Sequence, residues 1–249
     1  EKTITVENVK FGTVISEFTD KVIEGYQFEK TENYPLTVST SNESNVIKVY
    51  YTVRKDLYYT VNYLEQGTEN KLSESKEVGG NTYNAVITEN PIDIEGYNKV
   101  SDRAQSIVIG VNEAENVINF YYTKRNDLSY TVNYYEEGTN EKIAESKVVE
   151  NQRFKDSVTE EAIDIPGYNA QEPTEKTITI EVEDNVIDFY YQKKTDIGYT
   201  VEYYYDGKIN DTKTENLQAT FKEVIEDYED KNITGYKLEK TENLPLTIS

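Results

Sequence analysis

A chain of 249 residues with 47 acidic and 26 basic side chains carries a formal net charge of −21, which argues against nucleic acid and anionic membrane surfaces as partners, because both are held by basic stripes. It contains no Cys and no His, so disulfides, Ser-His-Asp or Cys-His catalysis and the common zinc frameworks are excluded. No apolar run approaches the roughly 18 residues of a membrane span, so no membrane insertion is expected.

The passage NVIDFYYQKKTDIGYTVEYYY, at Asn185–Tyr205, organises the chain, because close copies begin at Asn45 and Asn116. A period of roughly 70 residues means an array of small modules, each with a thin core. Each copy reads as the closing strand of one module, a short charged joint and the opening strand of the next. Four modules follow, at 1–56, 57–126, 127–195 and 196–249; the outer two are partial, lacking the first and the last strand respectively. The absence of Met at position 1 is expected of a processed or excised piece.

In 1–56, Phe11, Val14, Ile15 and Phe18 fall at the spacing of one helix face and predict a short helix from about Lys10 to Lys21. Gly25-Tyr26, Pro35–Ser39 and Asn45–Tyr51 read as strands. In 57–126, Tyr59, Val61 and Tyr63 alternate with polar residues as in a half-buried strand, and Gly67 marks a turn before a second strand near Lys71–Val78. Tyr83–Thr88 is the counterpart of the helix, cut short by Asn90-Pro91. Ser106–Val111 and Asn116–Tyr122 close the module.

Residues 127–195 repeat this plan, with Tyr130, Val132 and Tyr134 in the opening strand and Phe154, Val158 and Ala162 as a helix face. Ile187, Phe189 and Tyr191 of the closing strand are expected inside. In 196–249, Tyr199, Val201 and Tyr203 open the module, and Phe221, Val224, Ile225 and Tyr228 repeat the stripe. EKTENYPLTVS at 29–39 returns as EKTENLPLTIS at 239–249, so three modules make a longer repeat.

A hairpin, a short helix and further strands imply an α+β fold of tandem β-grasp (ubiquitin-like) modules, mainly β, laid out as an elongated rod. A small all-β sandwich, with Tyr83–Thr88 and Phe154–Ala162 not helical, is the alternative. Strands of about ten residues at roughly 3.3 Å per residue make a module on the order of 35 Å long. The short joints contain no Gly/Ser tract and carry the basic pairs Arg54-Lys55, Lys124-Arg125 and Lys193-Lys194, expected either as solvated charge or as bridges to acidic flanks of adjacent modules.

Y-T-V-x-Y at Tyr59–Tyr63, Tyr130–Tyr134 and Tyr199–Tyr203, I-D-I-x-G-Y at Ile92–Tyr97 and Ile163–Tyr168, and the closing V-I-x-F-Y-Y together resemble the MucBP (mucin-binding protein) repeat family, over nearly the whole chain. The outer modules depart from it with K-V-I-E-G-Y and K-N-I-T-G-Y, and Tyr205-Asp206-Gly207 is a shorter turn. The resemblance implies β-grasp modules repeated along cell-wall-anchored, extracellular proteins of Gram-positive bacteria, where they form stalks and in some members adhere to mucin or host glycans.

A non-catalytic, semi-rigid stalk of an adhesin is therefore the leading expectation, with no enzyme, no cofactor and no metal site. The alternative is glycan binding by the modules, for which the outward Tyr50, Tyr121 and Tyr190, or Tyr135, Tyr204 and Tyr205, offer aromatic faces. A third reading is head-to-tail fibre formation, with residues 45–51 of one copy completing the last module of another. Lys76 and Lys147 recur and are candidates for a self-formed isopeptide link to Asn or Asp. No D-x-D-x-D-G calcium loop is present.

Overall fold

The structure, a computed structural model, describes residues 3–228 and 233–249. The chain divides into two compact units, Glu1–Lys124 and Arg125–Ser249. The division falls within Tyr122–Leu128, one of the joints expected from the sequence.

In the first unit, the opening strand Leu57–Glu65 and the closing strand Val117–Lys124 lie parallel at the centre of a four-stranded sheet. Lys76–Asn81 flanks the opening strand and Tyr97–Lys99 the closing one, both antiparallel. The central register sets Val61 beside Ile118 and Tyr63 beside Phe120. The inner faces of both strands thus form one apolar layer, as period-two alternation requires. Leu57, Val61, Ile109, Ile118, Phe120 and Tyr122 are almost wholly buried there. A second ribbon, Val86–Glu89 paired with Gln105–Val108, brings Ile87 and Ile107 onto this layer.

The second unit repeats the plan. Leu128–Glu136 and Val186–Lys193 form the parallel centre, flanked by Lys147–Gln152 and Tyr168–Ala170, with Ser157–Glu161 and Glu175–Thr179 as the covering ribbon. Ile187, Phe189 and Tyr191 are buried as expected. The motif I-D-I-x-G-Y has a structural reason in both repeats. The Ile92 and Ile163 carbonyls accept hydrogen bonds from the hydroxyls of Tyr122 and Tyr191 at 3.0 and 2.9 Å, satisfying the one polar atom that each large ring carries into the core.

The expected helices are corrected. Among the described residues there is no α-helix, only short 3₁₀ turns at Asn42–Ser44 and Glu113–Glu115. The fold is mainly β, and the layer that a β-grasp module would make from a helix is made by the two-stranded ribbon. The physical reason is the residue after each aromatic: Gly12, Asn84, Lys155 and Lys222 all have φ between 61° and 79°. A left-handed residue there ends any helix and makes the third position of a tight turn, closed by Thr13→Lys10, Ala85→Thr82, Asp156→Arg153 and Glu223→Thr220 backbone bonds. The residues beyond the turn then run extended, as Val14–Ile15 against Leu36–Thr37 and Val224–Ile225 against Leu246–Thr247.

In the partial repeats, Lys48–Val53 pairs with Tyr26–Glu32 and Ile197–Val201 with Glu215–Ala219. Among the described residues neither strand has a partner on its other edge.

Candidate functional site

Two features repeat with side-chain detail: a joint inside each unit and a charged cluster under each opening strand. At the joint in the first unit, the Arg54 N–H donates to the Gly25 carbonyl of the repeat before it, and the Arg54 carbonyl accepts from the Tyr83 N–H of the repeat after it, at 2.9 and 3.0 Å. In the second unit Lys194 does the same between Gly167 and Phe221, at 2.9 and 2.8 Å. The turn described above presents its aromatic ring to the glycine of the preceding repeat. A Cβ on Gly25 would fall 2.0 Å from the Tyr83 ring, and one on Gly167 would fall 2.5 Å from the Phe221 ring.

The tyrosine after each glycine completes the seat. Tyr26 meets Tyr83, and Tyr168 meets Phe221 edge-on at 5.3 Å, while the Lys222 ammonium lies 5.6 Å from the Tyr168 ring. Phe11, at the same turn position in the first repeat, is 75% exposed.

The basic pairs do more local work. The Arg54 guanidinium forks onto Asp56 at 2.9–3.0 Å, and Arg125 onto Asp127 in the same way. Lys193 reaches Glu136 of its own repeat at 3.1 Å. Lys55 is exposed, Lys124 is half-buried in the closing strand, and Lys194 takes part through its backbone. The sequence pointed to these charges but missed the aromatic on the glycine, because a helix stripe and a turn followed by a strand share the same apolar spacing.

Beneath the opening strand, the Tyr59 hydroxyl donates to Glu89 at 2.5 Å and Lys76 meets the same carboxylate at 2.7 Å. Tyr130, Glu160 and Lys147 repeat the arrangement at 2.5 and 2.6 Å. The recurrent lysines thus face glutamates and not Asn or Asp. The Lys76 ammonium, and then the Tyr59 hydroxyl, hold Glu89 below the usual carboxylate range. Burial, the largest influence on Glu160, works the other way and is outweighed by Lys147 and Tyr130.

Burial first, and then the bond to the carboxylate, push Tyr59 and Tyr130 up to about 12. Unfolded tyrosine ionises near 10. Each folded repeat therefore keeps its proton where the unfolded chain loses it, and the stabilisation is complete below pH 10 and disappears between pH 10 and 12. Tyrosinate absorbance followed during alkaline unfolding is expected to lose two late-ionising groups in a Tyr59→Phe, Tyr130→Phe double variant, while the other buried tyrosines, Tyr122, Tyr134 and Tyr191, which burial also raises, still ionise late.

The outward tyrosines differ from one another. The Tyr50 hydroxyl is held by Glu32 at 2.8 Å with Lys30 over its ring. The Tyr204 hydroxyl is held by Glu202, and the Tyr205 ring packs on Tyr236 at 4.9 Å. Tyr121 is 42% exposed. Tyr135 and Tyr190 stack on each other, with centroids 5.9 Å apart and planes at 29°. Among the described residues no group of three or more His, Cys, Asp or Glu is placed to hold a metal ion.

Neither a protein-family model nor a curated protein sequence matches the chain. Solved structures do. The Bacillus anthracis TIE protein matches with a TM-score of 0.34 and 10% identity, over 73% of this chain and 49% of that one. The type 2 repeat of the mucus binding protein MUB from Lactobacillus reuteri matches with a TM-score of 0.20 and 13% identity, over 55% of this chain and 100% of the repeat. The structure of Mub-RV matches at 0.19 and 16%, over 55% and 99%. The chain is similar to repeats of mucus-binding proteins. It spans about half the length of the TIE chain.

Proposed function

We propose that this chain is a non-catalytic repeat region of an extracellular, cell-wall-anchored bacterial protein, acting as a semi-rigid stalk that holds an adhesive part away from the surface. The observation that carries this reading is the joint. In both units the connecting residue hydrogen-bonds the repeat on each side, and an aromatic ring fills the space above the preceding glycine. A joint tied by backbone and filled by a ring resists bending in a way that a Gly/Ser linker does not. The four modules, bounded at 1–56, 57–126, 127–195 and 196–249, are the units of that stalk, and the acidic surface keeps a long array soluble.

Head-to-tail association is a second reading, favoured by Ile197–Val201 and Lys48–Val53, each of which pairs on one side only among the described residues. Small-angle scattering tests both. A stiff monomeric stalk gives a maximum dimension that grows by on the order of 35 Å per module, with a concentration-normalised forward intensity that stays constant. A broad, coil-like distance distribution would overturn the stalk; forward intensity rising with concentration would select the fibre.

A further inference from the structure

We propose that each complete repeat is a tension clamp: pulling the chain at its two ends shears the parallel central strands along their whole length and does not peel them apart. This goes beyond the stalk reading, which concerns bending at the joint, and does not depend on it. In the repeat at 57–126 the chain enters through the first residue of the opening strand Leu57–Glu65 and leaves through the last of the closing strand Val117–Lys124. Those two strands are direct neighbours and run the same way, so tension draws them past each other in opposite directions. Lys76–Asn81, the covering ribbon and Tyr97–Lys99 all lie between them in sequence. They carry no load until the central pair parts.

The ladder that must break runs from Thr60 beside Val117 to Glu65 beside Tyr122. Bonds in a parallel pair are evenly spaced, so they share the load. At its two ends the Thr60 N–H donates to the Asn116 carbonyl at 2.9 Å and the Gln66 N–H to the Tyr122 carbonyl at 2.8 Å. Side chains tie the same two strands, the Asn116 amide donating to the Tyr58 carbonyl at 3.0 Å and the Asn62 amide to Asn119 at 2.9 Å. A slip of one residue, about 3.3 Å, would turn the inner row outward, so sliding also drags the buried Phe120 ring off Tyr63 and out of the core. The repeat at 127–195 has the same parts, with a ladder from Thr131 beside Val186 to Glu136 beside Tyr191. There the Asn185 amide donates to the Ser129 carbonyl at 3.1 Å and the Asn133 amide to Asp188 at 2.8 Å.

The partial repeats supply a comparison within the same molecule. Tyr26 pairs with Val53 and Ile197 with Ala219, both antiparallel, so the residues at which tension enters and leaves face each other across one end of the pair. Pulling opens these pairs from that end, one bond at a time. Resistance to force is set by the barrier to unfolding and not by equilibrium stability, which lets a module with a thin core hold when it is loaded in shear.

Because the chain contains no Cys, cysteines added beyond its two ends are unique handles for single-molecule force spectroscopy on all 249 residues. After the partial repeats extend at low force, two high-force ruptures are expected. Each releases roughly 200 Å, the reach of Leu57–Lys124 at about 3.4 Å per residue less its folded length. The deciding arm keeps the fold and changes only the direction of pulling. Handles at Glu69→Cys and Thr123→Cys, both exposed, sit at the same end of the central pair, where Glu65 lies beside Tyr122, and pull it open from there. Rupture in that arm is expected at several-fold lower force, with the denaturant midpoint of the unsubstituted chain. Equal rupture force in the two directions, or end-to-end ruptures no stronger than those of the partial repeats, overturns the clamp and leaves the joint and its stiffness as they stand.

Discussion

Replacing Phe120 by Ala is expected to unfold residues 57–126 while the second unit stays folded. The Phe120 ring is 2% exposed and stacks on Tyr63 with centroids 6.2 Å apart. Removing a buried Phe side chain costs about 3–5 kcal/mol, as lost transfer energy plus the cavity left behind. A module of roughly 70 residues holds only about 4–10 kcal/mol in total, so the loss removes a third or more of its stability. Hydrogen exchange followed by mass spectrometry reads the outcome by position. Peptides from Leu57–Glu65 and Val117–Lys124 are expected to lose protection, and those from Leu128–Glu136 and Val186–Lys193 to keep it. Equal loss in both units would mean one shared core and would refute the modular account.

Gly167→Ala is expected to open the joint without unfolding either repeat that it connects. Gly167 has φ of +81°, a conformation that costs an ordinary residue about 1–2 kcal/mol. The added methyl would also lie 2.5 Å from carbons of the Phe221 ring, far inside contact distance, so the ring must leave. Its departure removes the edge-on contact with Tyr168 and the neighbouring Lys222 cation, worth together about 1–2 kcal/mol. The contact between the Tyr168 and Phe221 rings, visible as a nuclear Overhauser effect, is expected to vanish, and exchange of the Phe221 amide to rise about tenfold or more. The core tyrosines Tyr134 and Tyr191 keep their protection. Gly25→Ala against Tyr83 is an independent copy of the experiment. An unchanged Overhauser effect in both variants would remove the joint as the source of stiffness.

The stretches that were legible share one property: their information is local and periodic. Tyr-Thr-Val-x-Tyr and Val-Ile-x-Phe-Tyr-Tyr alternate at the period of a strand, and the two complete copies bury the residues that the alternation places inside, whereas Val49 and Tyr51 in the first repeat and Tyr199 and Val201 in the last are only half-buried. The shared asparagine of Asn45, Asn116 and Asn185 stood out as a repeat, but its purpose did not. Asn116 bonds the Gly110 backbone on both sides and the Tyr58 carbonyl. Gly110 is close along the chain, as Ser39 is to Asn45, but the Tyr58 carbonyl reaches Asn116 only when the opening and closing strands lie parallel.

The helix that the Phe11–Phe18 stripe predicted failed for a related reason. Apolar spacing of three and four residues is common to a helix face and to a tight turn leading into a strand. Gly12 and Asn84 tolerate positive φ and hinted at the turn; Lys155 and Lys222 at the same place gave no such hint. The choice was made by Leu36–Thr37 and its counterparts, which offer the extended residues a distant edge to pair with.

Sequence by itself determined the repeat, the strands that open and close it, the face each buries, and the exclusion of His- and Cys-based chemistry. Tertiary structure alone decided that a ribbon and not a helix covers the sheet, that an aromatic ring sits on the glycine of the preceding repeat, and that Tyr135 stacks on Tyr190. The division follows from physics: side-chain alternation is written into neighbouring residues, whereas the partner of a strand edge, a turn or a ring lies tens of residues away and is chosen by packing.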